Sequence, residues 1–250
     1  MSNFDGKVAV VTGGGHGIGK QICVQLAEQG AKIVIADFSE ENGTATAQEL
    51  SEKYGAALFV KADVTSYDDM VNVREQAHAA YGTIDILVLD AGISKKGKVS
   101  DLTIEDWDRM VNVNLNGLFY TVKAFYDDFL VNKGSIVYIS SGSALSGTGG
   151  GVPYPASKAG GEGLIRGLAK ELGPKGVNVN AVAPRLINTG IMLQVNYPTE
   201  ESRKAVLAKV PVGRFGTPED VANAVVFLAD PANSFIQGQT LLLDGGRTIA

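Results

Sequence analysis

Lys7-Val-Ala-Val-Val-Thr-Gly-Gly-Gly-His-Gly-Ile-Gly19 is an apolar run that breaks abruptly into glycine. Lys7 to Thr12 is short, β-branched and free of polar alternation, the pattern of a parallel strand buried on both faces. The glycines permit a tight turn and close backbone approach, and Ile18 to Gln29 then carries an amphipathic helical pattern closed by Gly30. Strand, glycine turn and helix N-terminus in that order make an anion site, because free amide hydrogens and the helix dipole converge there. The loop alone is ambiguous. It does not read Gly-x-Gly-x-x-Gly, whereas Gly14 to Lys20 does match the Gly-x-x-x-x-Gly-Lys of nucleotide triphosphatases. Gln21, standing where that motif needs Ser or Thr for magnesium, argues against a triphosphatase.

Working outward, Lys32-Ile-Val-Ile-Ala36 is a second strand that ends in Asp37, about 20 residues beyond the glycines, where dinucleotide folds hold the adenosine ribose. A carboxylate there accepts from both ribose hydroxyls and repels a 2′-phosphate, and the next residue, Phe38, supplies no cation. NAD is therefore expected over NADP. His16, if protonated, is the nearby group that would blur the preference, and the competing reading of Asp37 is a helix cap for Ser39-Glu-Glu41. The unit then repeats: strand Ala57 to Lys61 leads to Asp63-Val64, helix Tyr67 to Tyr81 ends at Gly82, and strand Ile84 to Leu89 runs into Asp90-Ala-Gly92. Regular βα alternation implies right-handed crossovers and a doubly wound, parallel α/β sheet with helices on both faces. With no linker, repeat or low-complexity segment, residues 1–250 are expected to form one domain.

Farther along, Thr103 to Asp106 starts a helix continued by Trp107, Met110 and Val111, and asparagines recur at 112, 114 and 116. Three asparagines in a helical segment need a reason, either bonding that kinks the helix or a ligand. Strand Ser135 to Ile139 then delivers Ser141 to a carboxyl end, where open α/β sheets place ligands. Gly147 to Gly151 reads as a flexible connection, and Pro153 and Pro155 shape the entry to a helix running from Ser157 to Leu172. Tyr154 and Lys158, four apart, project from one helix face. Such a pair is by itself more often a packed aromatic beside a solvated charge, but a nearby ammonium favours the phenolate and brings a tyrosine pKa toward working pH. Gly160, Gly161 and Gly163 suggest packing against another helix. Val177 to Ala183 is a strand, residues 184–210 read as a mobile substrate loop with one short helix, Thr217-Pro-Glu-Asp220 starts a helix reaching Ala229, and Thr240 to Asp244 is the last strand.

Composition narrows the partners. A net charge of -5 carries no basic excess, so neither nucleic acid nor an anionic membrane surface is expected. Cys23 stands alone, and with His16 and His78 the only histidines a Cys/His zinc site is not expected; no metal is called for. The start, Met1 to Lys7, lacks a signal-like pattern, and no apolar run reaches about 18 residues, so the expected location is cytoplasmic.

Together these pieces resemble the classical short-chain dehydrogenase/reductase family, from about Gly6 to Gly246. The matching motifs are Thr12-Gly13-x-x-x-Gly17-x-Gly19, Asp63-Val64, Ala91-Gly92, Asn114, Ser141, Tyr154-x-x-x-Lys158 and Asp244-Gly245-Gly246. The resemblance implies Tyr154 as general acid/base, Lys158 binding the nicotinamide ribose and lowering the Tyr154 pKa, Ser141 holding the substrate oxygen, and Asn114 positioning a water that relays protons. It implies cofactor contacts from Gly13, Gly15, His16, Gly17, Ile18 and Gly19, from Asp37 and Phe38, from Asp63 and Val64 at the adenine, from Asp90, Ala91 and Gly92, and from Pro184, with Ile187 and Thr189 at the carboxamide. Ser143 joins Ser141 as a substrate contact. Two residues depart from the family pattern: Asp90 replaces the usual asparagine, and Arg185 follows Pro184 where glycine is usual. A guanidinium there suits an anionic substrate group, or else points to solvent or pairs with an acid. The expected activity is hydride transfer between NAD and a secondary alcohol or ketone of a small polar substrate such as a polyol, sugar derivative or hydroxy acid. A 3-oxoacyl-carrier-protein reductase is the alternative, a non-catalytic NAD sensor the alternative of another class, and a homotetramer the expected assembly.

Overall fold

The structure, a computed structural model, describes residues 3–248. Met1 and Ser2, at the head of the segment read for a signal, and residues 249–250 lie outside the described residues. Seven strands form one sheet in the order β3-β2-β1-β4-β5-β6-β7, every neighbouring pair parallel. They are β1 (Val8–Thr12), β2 (Lys32–Asp37), β3 (Ala57–Lys61), β4 (Ile86–Leu89), β5 (Ser135–Ile139), β6 (Asn178–Pro184) and β7 (Thr240–Leu243). The helices between them are α1 (Gly17–Glu28), α2 (Glu40–Tyr54), α3 (Tyr67–Tyr81), α4 (Ile104–Val111), α5 (Gly117–Asn132), α6 (Gly142–Ser146), α7 (Pro153–Leu172), α8 (Ile191–Asn196), α9 (Glu200–Leu207) and α10 (Pro218–Ala229).

The unbroken apolar strands are unbroken because both faces of the sheet are covered. Val8 and Val10 of β1 pack with Met70 and Val73 of α3, Phe125 of α5 and Ile165 of α7, while Ala9 and Val11 pack with Ile22 and Leu26 of α1 and Val221 and Val225 of α10. Successive side chains thus enter opposite layers, as the pleat requires. The strand order reverses between β1 and β4, and the crevice beyond their carboxyl ends is the place where such sheets take ligands.

Local signals hold at most helix ends. Thr217 Oγ1 accepts from the Asp220 amide at 3.3 Å and Asp220 Oδ2 from the Thr217 amide at 2.8 Å, closing a capping box on α10 with Pro218 in its first turn. Such a cap contributes about 1 kcal/mol. Residues 184–210 hold two helices, α8 and α9, rather than one; a second capping box, between Thr199 and Ser202, starts α9. Gly160 and Gly161 pack differently from expectation: a Cβ on Gly160 would meet Leu115 at 3.1 Å, and one on Gly161 would meet the Tyr138 hydroxyl at 2.5 Å, so their neighbours are a turn before α5 and a strand. Gly163 faces open space. Among the described residues no helix is long and apolar enough to cross a membrane.

Candidate active site

The glycine loop between β1 and α1 is a cradle that side chains would fill. Gly13 has φ 72°, and a Cβ there would lie 3.0 Å from the Ala91 amide nitrogen; a Cβ on Gly19 would run into the Gly13 carbonyl. Gly15 is held on both sides, its amide donating to Asp37 Oδ2 at 2.8 Å and its carbonyl accepting from Thr46 Oγ1 at 2.9 Å. Asp37, buried at the end of β2, also accepts from the Ser39 amide through Oδ1 at 2.8 Å. It is therefore a clasp for the loop. The capping role belongs to Ser39, whose Oγ accepts from the Asn42 amide at 3.3 Å. His16 occupies the N-cap of α1 with extended backbone and makes no side-chain cap bond, Gly17, Ile18 and Gly19 form the first turn, and Phe38 stands exposed at the rim. A tight glycine loop, a helix N-terminus and a carboxylate at the end of the neighbouring strand together fit a dinucleotide.

At the next strand ends, Asp63 Oδ1 accepts from the Thr65 amide and hydroxyl at 2.9 and 2.8 Å, and Val64 packs on Gly117. Thr12 Oγ1 accepts from the Ala91 amide at 3.3 Å, joining β1 to the segment after β4. Burial pushes the Asp90 carboxyl up to about 6, against the opposing pull of Lys158, His16 and the Gly19 amide. Gly92 is where two polar chains converge: a Cβ there would lie 3.3 Å from Asn114 Oδ1 and 3.4 Å from Lys158 Nζ.

The recurring asparagines form a π-helical turn, Asn112–Asn116, between α4 and α5. The wider turn directs Asn114 into the protein, where it is buried. Its Oδ1 accepts from the Ile93 amide at 2.8 Å and its Nδ2 donates to the Ile93 carbonyl at 2.9 Å and to Ser157 Oγ at 3.0 Å. Asn112 and Asn116 bond each other at 2.7 Å on the exposed side.

Beyond β5, Ser141 caps α6, its Oγ accepting from the Ser143 amide at 3.1 Å. Gly147, Gly149, Gly150 and Gly151 all have positive φ, and a Cβ on Gly151 would meet the Lys95 carbonyl at 2.9 Å, so the expected flexible connection is instead a shaped one seated on the loop after β4. Tyr154 lies in the first turn of α7 and Lys158 one turn on. Lys158 is buried, donates to the Ile139 carbonyl at 2.7 Å, and holds Nζ 5.0 Å from the Tyr138 ring centre and 5.9 Å from that of Tyr154. Burial lowers its pKa to about 8. Tyr154 is shifted opposite to expectation: burial raises its phenol above the ordinary value, a hydrogen bond with Ser141 pulls it down, and Asp90 raises it further. Desolvation is the largest of these influences.

At the end of β6, Pro184 is buried, Ile187 bridges to Gly216, and Thr189 sits half-buried before α8. Among the described residues Arg185 joins no acid in an ion pair; its Nη2 donates to Thr148 Oγ1 at 2.9 Å. Lys95 is taken by Asp106 at 2.7 Å.

With this geometry in view, the relatives are informative. A family model described as enoyl-(acyl carrier protein) reductase matches residues 13–248. The subunit BbsD of (2S)-[(R)-hydroxy(phenyl)methyl]succinyl-CoA dehydrogenase from Thauera aromatica is 40% identical, covering 97% of either chain. The 3-oxoacyl-[acyl-carrier-protein] reductase FabG of Escherichia coli is 37% identical, covering 98% of each. The crystal structure of gox2181 superposes with a TM-score of 0.92 at 38% identity, covering 98% of this chain and 97% of that one. The chain belongs to the short-chain dehydrogenase/reductase family.

As a short-chain dehydrogenase/reductase it is an oxidoreductase of a family that works with nicotinamide cofactors. The fold brings Asn114, Ser141, Tyr154 and Lys158 to the carboxyl ends of β4 and β5, beside the glycine cradle. Three participants escaped sequence reasoning. Ser157 orients Asn114, Tyr138 lies under the Lys158 ammonium with its buried hydroxyl unpartnered among the described residues, and Thr148 holds Arg185. Ser157 lies next to Lys158 and Tyr138 sits in the strand before Ser141, so their position was the available signal; nothing in the chain's pattern pointed to Thr148.

Proposed function

We propose that the chain is a single catalytic unit in which NAD exchanges a hydride with a secondary alcohol or ketone of a small polar substrate, a polyol, sugar derivative or hydroxy acid. The observation that carries this reading is the buried Lys158 ammonium, bonded at 2.7 Å to the carbonyl of Ile139, the strand end two residues before Ser141, and 5.9 Å from the Tyr154 ring centre. A bound nicotinamide supplies or accepts the hydride at C4. Ser141 orients the substrate oxygen, and Tyr154 gives that oxygen a proton in reduction or takes one in oxidation. The raised phenol is protonated at neutral pH, the form that donates to the substrate oxygen in reduction. Lys158 binds the ribose and keeps positive charge beside the phenol, and Asn114, fixed by Ile93 and Ser157, positions the water that carries protons outward.

Asp37 supports NAD over NADP, since a carboxylate at the end of β2 beside the glycine loop repels a 2′-phosphate and Phe38 offers no charge to one. Exposed Phe119, Leu130 and Val131 on α5, beside the open Gly163 and Gly167 of α7, support a homotetramer; the lack of any basic excess argues against a nucleic-acid partner, and the lone, buried Cys23 suits a reducing, cytoplasmic setting. The names of the relatives favour a second reading, a 3-oxoacyl-carrier-protein reductase. A non-catalytic NAD sensor gains nothing from a Ser141/Tyr154/Lys158 set. A polyol and hydroxy-acid panel, with a 3-oxoacyl thioester beside it, read by NADH absorbance and controlled with Tyr154→Phe, separates the three. Turnover of the thioester alone, with NADPH, would replace the first reading by the second.

A further inference from the structure

Arg185 stands where the chain leaves β6, and among the described residues no acid forms an ion pair with it. Its stem lies along the residue after Ser141: a Cβ on Gly142 would sit 3.1 Å from both Cβ and Cδ of Arg185. Hydroxyls alone hold the fork, Nη2 donating to Thr148 Oγ1 at 2.9 Å and Nη1 to Thr248 Oγ1 at 3.5 Å. The neighbouring acid, Asp244, is engaged by backbone, Oδ1 accepting from the Gly246 amide at 2.9 Å and Oδ2 from the Thr248 amide at 2.7 Å. Arg247 adds a second cation close enough to press on Arg185, and its Nη1 is buried with no hydrogen-bond partner among the described residues. The acid nearest Arg185 is thus already committed to the backbone. A buried donor such as Arg247 Nη1 is costly unless a ligand completes it.

The cleft that Arg185 borders measures about 240 Å³; Leu186, Ile187, Val210, Val212 and Leu243 give it apolar walls, and its two carboxylates, Asp220 and Asp244, are both already engaged within the protein. The other cation on that wall, Arg214, is neutralised by two contacts to Asp220 at 2.6 and 3.0 Å. Leu186 is held at φ 58°, a conformation that disfavours a branched side chain, in the residue that turns the chain from Arg185 toward Ile187.

We propose that Arg185, reinforced by Arg247, is a subsite for an acid group of the substrate, a carboxylate on a hydrocarbon segment that fills the apolar cleft while its carbinol lies at Ser141 and Tyr154. The planar fork accepts a carboxylate at two points, and the apolar walls take the chain that bears it. The proposal rests on the dehydrogenase reading above and narrows it to hydroxy and oxo acids.

Binding can be tested without turnover. With NADH present, calorimetry on the full chain compares succinate with its uncharged diamide. Succinate should bind more tightly by on the order of 10- to 100-fold, with the advantage lost in Arg185→Gln and reduced in Arg247→Gln. Equal affinity of the two probes for the unsubstituted protein overturns the subsite whether or not either variant folds. In turnover, the ratio of kcat/KM for a hydroxy acid to that for its amide should fall by a similar factor in Arg185→Gln, through KM; an unchanged ratio overturns it too. Arg185-dependent succinate binding without turnover of any alcohol would keep the subsite and remove the dehydrogenase reading, and turnover indifferent to the acid group would do the reverse.

Discussion

Lys158 Nζ donates to the Ile139 carbonyl over 2.7 Å, tying the second turn of α7 to the last residue of β5, two positions before Ser141. The bond fixes the ammonium relative to both Ser141 and Tyr154, but it is made in a site that burial strips of water. The same burial lowers the Lys158 pKa to about 8 from 10.5.

A stability prediction follows for Lys158→Met. A lysine whose folded pKa lies below its unfolded value destabilises the fold wherever it is charged, fully below pH 8, and that penalty disappears as pH rises past 10.5. Replacement by an apolar chain of similar length, less the loss of one hydrogen bond, should stabilise the cofactor-free protein at pH 6–7 by about 1–2 kcal/mol while abolishing turnover. Urea melts at pH 7 and pH 10 should show the gain shrinking at the higher pH. A variant less stable than its parent at pH 7 would show that the ammonium is better compensated than its surroundings indicate.

Asp90 has the opposite pH signature. Its carboxyl is raised to about 6 from 3.8, chiefly by burial, so the folded state bears a cost above pH 6 that is absent below 3.8. Asp90→Asn should stabilise the protein by about 1–2 kcal/mol at pH 8 and by almost nothing at pH 4. The same denaturant titrations at those two pH values check it, and a gain independent of pH would point to shape rather than charge.

Asp37 ties the glycine loop to the end of β2 through its bonds to Gly15 and Ser39. Asp37→Ala should lower kcat/KM with NADH by about 10- to 100-fold and lower the melting temperature, since two amides lose a charged acceptor. The NADPH to NADH ratio of kcat/KM should rise as the repulsion of a 2′-phosphate is removed. Steady-state kinetics with both cofactors reads this directly; a ratio that stays fixed would detach Asp37 from the ribose.

Much of this was legible in the chain because it depends on local pattern. The both-faces-buried strands, the glycines at 13 and 19 and the Thr217 cap need only nearest-neighbour physics, and each appears within a residue or two of its expected place. What was not legible depends on tertiary surroundings. The asparagine run announced an irregularity, but only packing against Ile93 and Ser157 decides that it is a π turn with Asn114 inward and Asn112 outward. Spacing placed Tyr154 beside Lys158, yet the direction of the phenol's shift depends on how much water the folded site excludes. Arg185 was visible as a departure; that Thr148, Thr248 and a second arginine surround it was not.

The central claim is that the Tyr154 hydroxyl moves the proton. The most direct test is the single-turnover rate of Tyr154→Phe on a substrate taken from the alcohol panel, with NADH affinity measured on the same preparation. A loss of about 10²- to 10⁴-fold in rate with NADH still bound is the predicted result. A phenylalanine variant that turns over within a few-fold of its parent would contradict it.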